Sequence, residues 1–219
     1  MQKTDITGVY KDKSQIFTEN IKESKGVKVY NEKIVKQKNK EFRSWNPYRS
    51  KLAAAILNGL EFKIKKDSNI LYLGAATGTT VSHISDICKN GMIFTVENSP
   101  FAMKKLVNLC KNRPNIIPIF EDANHPDRYS SIVNIVDILY QDISQRNQAD
   151  IFIKNIKNYL KEDGIGIFMV KARSIDVSLK PKETYDLVCS QLEKNRLKIN
   201  SLIDLIPFEK DHAVIFVSK

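Results

Sequence analysis

Cysteine, proline and glycine are all scarce here: three Cys, seven Pro and eight Gly in 219 residues. So few Gly and Pro exclude a low-complexity chain. Cys88, Cys110 and Cys189 are far apart and odd in number, and no C-x-x-C or H-E-x-x-H spacing occurs. A disulfide framework is therefore not expected, and no metal is assigned. Each cysteine sits in an apolar helical pattern and reads as a small buried hydrophobe in a reducing compartment. Long hydrophobic runs are missing too. None approaches the ~18 residues of a spanning helix, and the opening residues lack an apolar h-region. Neither a membrane protein nor an exported one is expected.

What is present is a globular composition, 42% apolar and 27% charged. The length suits one to two domains at roughly 150 residues each. Basic side chains outnumber acidic ones by 35 to 25, a formal charge of +10. Such a surface favours nucleic acid or another polyanion through counterion release, although a lysine-rich solubility surface gives the same balance. The excess is uneven: residues 1–51 hold 13 basic and six acidic side chains.

Residues 1–48 read as a small antiparallel β subdomain. Short β-prone runs at 8–10, 14–18 and 27–30 are separated by polar stretches, and residues 32–36 alternate. Trp45-Asn46-Pro47 ends that pattern, because the residue before a proline is pushed out of the helical region. Over residues 49–219 strand and helix signals take turns. Ser50 can N-cap a helix carrying Leu52, Ala55, Ile56 and Leu60 on one face. Strands are predicted at 69–73, 92–96, 116–120, 136–140 and 164–170. Helices are predicted from about Thr80, from Ser99-Pro100, from Ala149 and near Pro181. The last two strands, about 198–205 and 212–217, leave no room for a helix between them and must pair antiparallel.

Repeated βα units require a parallel sheet with helices on both faces. A Rossmann-like, mostly parallel seven-stranded sheet that ends in an antiparallel hairpin is the α/β pattern of class I S-adenosylmethionine-dependent methyltransferases. Fold alone does not assign chemistry, so function rests on the site.

Gly74-Ala75-Ala76-Thr77-Gly78-Thr79-Thr80 follows a strand and opens a helix, a turn that brings backbone N–H groups close to a ligand. A dinucleotide fingerprint needs glycine at 74, 76 and 79, and only the first position matches. NAD is disfavoured. Glu97 ends the next strand, 23 residues after Gly74, where a carboxylate accepts from both hydroxyls of an adenosine ribose. Asp122, ending the third strand, is placed to accept from an adenine amino group. Asp142 ends the fourth and can face an ammonium or sulfonium. S-adenosylmethionine suits this layout, since it carries ribose, adenine and a sulfonium but no phosphate.

Several longer motifs then stand together: Trp45-Asn46-Pro47-Tyr48-Arg49-Ser50-Lys51-Leu52, Leu71-Tyr72-Leu73-Gly74, Thr79-Thr80-Val81-Ser82-His83, Lys171-Ala172-Arg173-Ser174-Ile175-Asp176 and Glu209-Lys210-Asp211-His212-Ala213. In this order they closely resemble fibrillarin, over about Gly8 to Lys219. The resemblance implies an S-adenosylmethionine-dependent 2'-O-methyltransferase of ribosomal RNA, with transfer RNA as a further substrate. It implies work within a C/D box guide ribonucleoprotein, beside guide RNA, a Nop-type scaffold protein and a kink-turn-binding subunit. No Gly/Arg-rich N-terminal extension is seen, so the likeness is to the archaeal type and a cytoplasmic location is expected. The family's Lys-Asp-Lys-His tetrad maps to Lys51, Asp142, Lys171 and His212. The cofactor set maps to Gly74, Ala76, Thr79, Thr80, Glu97, Asn98, Asp122, Ala123, Asp142 and Gln145. Arg49, Arg173 and Lys210 flank the tetrad as candidate phosphate contacts. Two departures are visible. Asn98 replaces the usual apolar residue after the acid, and Asp142-Ile143-Ser144-Gln145-Arg146 replaces the usual D-V-A-Q-P run.

Methyl transfer to a ribose hydroxyl is an in-line displacement in which the weak nucleophile is the difficulty. A lysine assists only where burial or a neighbouring cation brings it from about 10.4 toward the ~7–8 useful to a base. Within the resemblance, Lys171 is the base or hydroxyl-orienting group, and Lys51 assists it or holds an RNA phosphate. Asp142 orients Lys171 and faces the cofactor, and His212 hydrogen-bonds within the set or relays a proton. His83 and His125 fall outside the site. Two alternatives stay open: methyl transfer to a protein glutamine, and a non-catalytic subunit that has kept a cofactor pocket.

Overall fold

Short apolar runs build two sheets in a computed structural model that describes residues 1–219. The first contains β1 (Gln2–Lys3), β2 (Val9–Asp12), β3 (Gln15–Glu19), β4 (Ile34–Gln37) and β5 (Lys40–Trp45). It is antiparallel throughout, in the order β1-β2-β3-β5-β4. Residues 27–30, read above as a strand, are instead a loop. Their backbone is drawn to a carboxylate: the Val29 and Tyr30 N–H groups donate to Glu32 at 2.9–3.1 Å, which takes them out of any ladder.

The second sheet contains β6 (Ile70–Leu73), β7 (Ile93–Glu97), β8 (Ile116–Phe120), β9 (Val136–Gln141), β10 (Leu160–Lys171), β11 (Lys198–Asp204) and β12 (His212–Ser218). Its order is β11-β12-β10-β9-β6-β7-β8. The run from β10 to β8 is parallel, while β12 lies antiparallel between β10 and β11. The predicted terminal hairpin is therefore present, with β11 alone at the edge. Helices α1 (Lys51–Leu57), α2 (Thr79–Ile87), α3 (Pro100–Cys110), α4 (Gln148–Tyr159), α5 (Ala172–Ile175) and α6 (Pro181–Lys194) connect the strands. Ser50 and Ser99 cap α1 and α3 as expected, each accepting from the backbone N–H three residues on.

Both faces of this sheet are covered. Ile70 and Tyr72 of β6 point to one apolar layer with α2 and α3, whereas Leu71 and Leu73 point to the other with α4 and α6. Ile6, Val9, Ile16 and Trp45 of the N-terminal region belong to the first layer, so the small sheet packs on the same core as α2. Cys88 is buried, but Cys110 and Cys189 are only half-buried, because each lies at the margin of its helix's apolar stripe. No helix is long and apolar enough to cross a membrane.

A buried ionic cluster ties the small sheet to α2. Arg43 of β5 pairs with Glu32 at 2.7 Å and with Asp86 of α2 at 2.8 Å, and Arg113 pairs with Asp86 at 2.7 Å; all four side chains are fully buried. Breaking such a pair from one side strands a charge in the interior, at a cost of about 3–5 kcal/mol. His83, also on α2, completes the seam. It stacks on Trp45 with ring centroids 4.8 Å apart. Thr18 donates its hydroxyl proton to Asp86 at 2.6 Å, so the His83 Nδ1, 2.7 Å from the same oxygen, must be the protonated nitrogen. The Tyr30 hydroxyl lies 2.7 Å from Nε2. Burial first, and the charges of Arg43 and Arg113 second, hold the His83 imidazolium well below its usual range.

Candidate active site

The carboxyl ends of the parallel strands form the rim where open α/β sheets take ligands. At the end of β6, Gly74 has φ +80, and a Cβ there would lie 2.6 Å from the Asp142 carbonyl oxygen. The chain therefore turns where only glycine fits, and it turns directly against the end of β9. The Asp142 N–H donates to the Leu73 carbonyl at 2.9 Å, which fixes the two strand ends together.

Glu97, at the end of β7, organises the turn. Its two oxygens accept from the Ala76 N–H and the Ser99 N–H, both at 2.8 Å. Each oxygen keeps a lone pair for a further donor, as a ribose-binding carboxylate requires. Asp122 behaves similarly. Its Oδ1 accepts from the Asn124 backbone and side chain at 2.9 and 3.0 Å, and its Oδ2 makes no hydrogen bond within the protein. Burial opposes ionisation of Asp122, but the Asn124 N–H groups, with His125 and Arg128 nearby, hold its carboxyl below the ordinary value. Gly74, Glu97, Asn98, Asp122, Ala123 and Gln145 line one narrow cleft. Thr79 opens α2 beside it. The Thr80 hydroxyl is committed elsewhere, 2.9 Å from Ser50 Oγ, so it links the starts of α1 and α2.

Three members of the expected tetrad converge. Lys171 Nζ lies 2.9 Å and Lys51 Nζ 3.3 Å from the same Asp142 oxygen, with side chains only 14–16% exposed. Lys171 also donates to Ser144 Oγ at 2.7 Å. His212 stands opposite Lys171 in the β10–β12 ladder, which puts both side chains on one face of the sheet. It makes no hydrogen bond to the other three; its Nδ1 lies 2.6 Å from the Lys210 carbonyl. Tyr72 and Tyr140, one pleat behind Gly74 and Asp142, stack at 4.4 Å. Burial, and behind it the Asp142 charge, pushes the Tyr72 hydroxyl well above the usual tyrosine range, so it stays neutral.

The flanking cations differ in availability. Arg49 and Lys210 are exposed. Arg173 is occupied, with Asp211 at 3.1 Å and the carbonyls of Val177 and Leu179 at 3.0 and 3.3 Å. Sequence reasoning missed Gln148, which is fully buried and clamps the Lys171 backbone from both sides: Oε1 accepts its N–H at 3.0 Å and Nε2 donates to its carbonyl at 3.2 Å. It missed Asn124 as well, which bridges Asp122 to Gln145 at 2.8 Å. The D-x-N spacing at 122–124 was a usable turn signal; Gln148 carried none.

Comparison with known proteins identifies the family. The fibrillarin family model matches residues 1–219. A curated "Fibrillarin-like rRNA/tRNA 2'-O-methyltransferase" from Methanocaldococcus jannaschii is 52% identical over 194 residues, spanning 88% of this chain and 84% of that protein. A solved fibrillarin/Nop5p complex matches with a TM-score of 0.90 at 42% identity, covering 98% of each chain. Aeropyrum pernix fibrillarin, solved with natively bound S-adenosyl-L-methionine, matches with a TM-score of 0.84 at 42% identity, covering 93% of this chain and 88% of that one. On the full-length family match, on relatives about half identical, and on solved folds that match at a TM-score of 0.90, this chain belongs to the fibrillarin family.

Proposed function

We propose that this chain is the catalytic subunit of a guide-directed enzyme that methylates ribose 2'-hydroxyls of ribosomal and transfer RNA, with S-adenosylmethionine as methyl donor. One observation carries the reading. Two lysine amines share a single carboxylate, Asp142, whose own carbonyl packs against the Gly74 turn. An amine pair is thus held beside a turn built for close ligand approach.

The residues present fit the cofactor. Glu97 has lone pairs left for ribose hydroxyls, Asp122 Oδ2 is free for an amino group, and the space at Gly74 admits no side chain. When bound, S-adenosylmethionine supplies a methyl carbon activated by its sulfonium. The protein's part is to position and deprotonate the other reactant. In this reading Lys171 Nζ, in its neutral form, takes the proton from the ribose 2'-hydroxyl. Asp142 and Ser144 fix the direction of that amine, and the Gln148 clamp fixes its backbone. Lys51 competes for the same Asp142 oxygen and meets the RNA phosphate next to the target sugar. His212 orients the sugar from the neighbouring strand. Alignment of this kind is worth ~7–11 kcal/mol of barrier when reactants are held in near-attack geometry.

Phosphate contacts position RNA without reading sequence, so a base-paired guide RNA selects the nucleotide. The solved relative in complex with Nop5p supports a Nop-type scaffold as partner. A kink-turn-binding subunit completes the particle, which works in the cytoplasm. Residues 1–48 act as a brace, and residues 49–219 carry the chemistry. The test is a particle reconstituted from these parts, supplied with labelled S-adenosylmethionine and a guide-matched RNA. One methyl group at one guide-selected nucleotide is expected. Incorporation that persists with deoxyribose at that nucleotide overturns the 2'-O assignment.

A further inference from the structure

A row of side-chain amides stands behind the cofactor cleft. Asn147 Nδ2 donates to Asn124 Oδ1 at 2.7 Å. Asn124 Nδ2 divides its two N–H groups between Asp122 Oδ1 at 3.0 Å and Gln145 Oε1 at 2.8 Å. Asp122 and Gln145 line the cleft, whereas Asn124 lies behind them.

This row has a single consistent polarity. The Asp122 carboxyl is held below its ordinary value, so at neutral pH its oxygens accept and never donate. Turning the Asn124 amide end for end would set its carbonyl oxygen against that carboxylate, two acceptors with no proton between them. Asn124 therefore points Nδ2 at Asp122. The same nitrogen needs an acceptor on Gln145, which fixes Oε1 toward Asn124 and turns Nε2 the other way. Gln145 Nε2 makes no hydrogen bond within the protein, and neither does Asp122 Oδ2. The Gln145 backbone is anchored as well, its carbonyl accepting from Gln148 Nε2 at 3.0 Å. One end of the cleft thus carries a free acceptor and a free donor, and Asn124 engages the opposite atom of each side chain.

An acceptor beside a donor is the complement of an adenine edge, where an amino group donates and a neighbouring ring nitrogen accepts. We propose that Asn124 is a positioning residue that fixes the amide of Gln145, so that its Nε2 donates to a ring nitrogen of the cofactor's adenine. The proposal rests on the S-adenosylmethionine reading above and adds to it a residue outside the cleft wall.

The test is calorimetric binding of S-adenosylhomocysteine to the full chain, beside its 1-deaza and 7-deaza forms, each lacking one ring nitrogen next to the amino group. A lost hydrogen bond that strands a donor should weaken binding about tenfold, and the wild type should show that penalty for at least one deaza form. Gln145→Met has no donor, so the form whose penalty it abolishes identifies the nitrogen that Gln145 meets. Asn124→Asp should abolish the same penalty, because the new carboxylate accepts from Nε2 and turns Oε1 into the cleft. If Asn124→Asp does not fold, Asn124→Ala, which frees the Gln145 amide to rotate, should reduce that penalty to threefold or less. A purely structural role for Asn124 predicts an equal loss for all three ligands with the penalty intact, and that result overturns the proposal. A Gln145→Met protein that keeps every penalty overturns it too. If the wild type binds none of the three ligands, the cofactor reading falls with it; normal wild-type binding with an intact penalty in the Asn124 variant removes this inference alone.

Discussion

Lys171 and Lys51 meet at one oxygen: their side-chain nitrogens lie 2.9 and 3.3 Å from Asp142 Oδ1. A single carboxylate thus holds both amines at the rim of the sheet, and in the proposed reaction one of them meets the hydroxyl while the other meets a phosphodiester.

Replacing Asp142 with Asn keeps the shape and removes the charge that orients both amines. Single-turnover methylation in the reconstituted particle should slow by about 10²- to 10⁴-fold, the range of a lost acid–base arrangement. Cofactor affinity measured by calorimetry should move far less. Full activity in this variant would show that the shared carboxylate plays no part.

Glu97 should behave in the opposite way. In Glu97→Gln the charge-assisted bonds to Ala76 and Ser99 weaken and the ribose acceptor is lost. Bonds of that type are worth about 1.5–3 kcal/mol, so the dissociation constant for S-adenosylmethionine should rise about ten- to 100-fold. Turnover at saturating cofactor should change by only a few-fold. An unaltered dissociation constant would remove Glu97 from the pocket.

Asp86 is the hinge of the buried cluster. Asp86→Ala leaves Arg43 and Arg113 with only Glu32 as a counter-charge in the interior. Urea unfolding should show a loss of about 3–5 kcal/mol. A loss below 1 kcal/mol would mean that water reaches these groups.

His83 sets a pH window for stability. Its imidazole stays neutral in the fold well below 6.5, while the unfolded chain takes up that proton near 6.5. The unfolded state then binds the extra proton, so stability falls as pH drops below 6.5, by at most about 1.4 kcal/mol per pH unit. Carboxylates held below their ordinary value, such as Glu32, add their own loss only nearer pH 4.5. Urea midpoints taken between pH 7 and pH 5 should fall for the wild type and stay flat for His83→Gln. A parallel fall in both proteins would assign the dependence to other groups.

The sheet was legible because its signals are local. Runs such as Ile70-Leu71-Tyr72-Leu73 are apolar on both faces, and Ser50 and Ser99 announce α1 and α3 with side chains that reach only three residues. Asp142 and Lys171 followed from strand ends and the family motif. The N-terminal region was harder, because its determinants are distant. Residues 27–30 have β-prone side chains, yet the Glu32 carboxylate takes their N–H groups. β5 carries Glu41 and Arg43 at buried positions, a pattern that contradicts a core strand until Asp86, 43 residues on, is known to lie against Arg43. Gln148 escaped for the same reason. Nothing near it in the chain says that its amide will grip Lys171, 23 residues on at the far end of β10.

The seam formed by Arg43, Thr18 and His83 has a mechanical consequence. Helix α2 leaves directly from the glycine turn, and Ser82, His83 and Asp86 all lie on it. Whatever shifts the small sheet drags that helix, and with it the mouth through which the methyl donor enters. Changes far from any reacting atom, at the N-terminal end of the chain, should thus be felt first as slackened grip on the donor rather than as damaged chemistry.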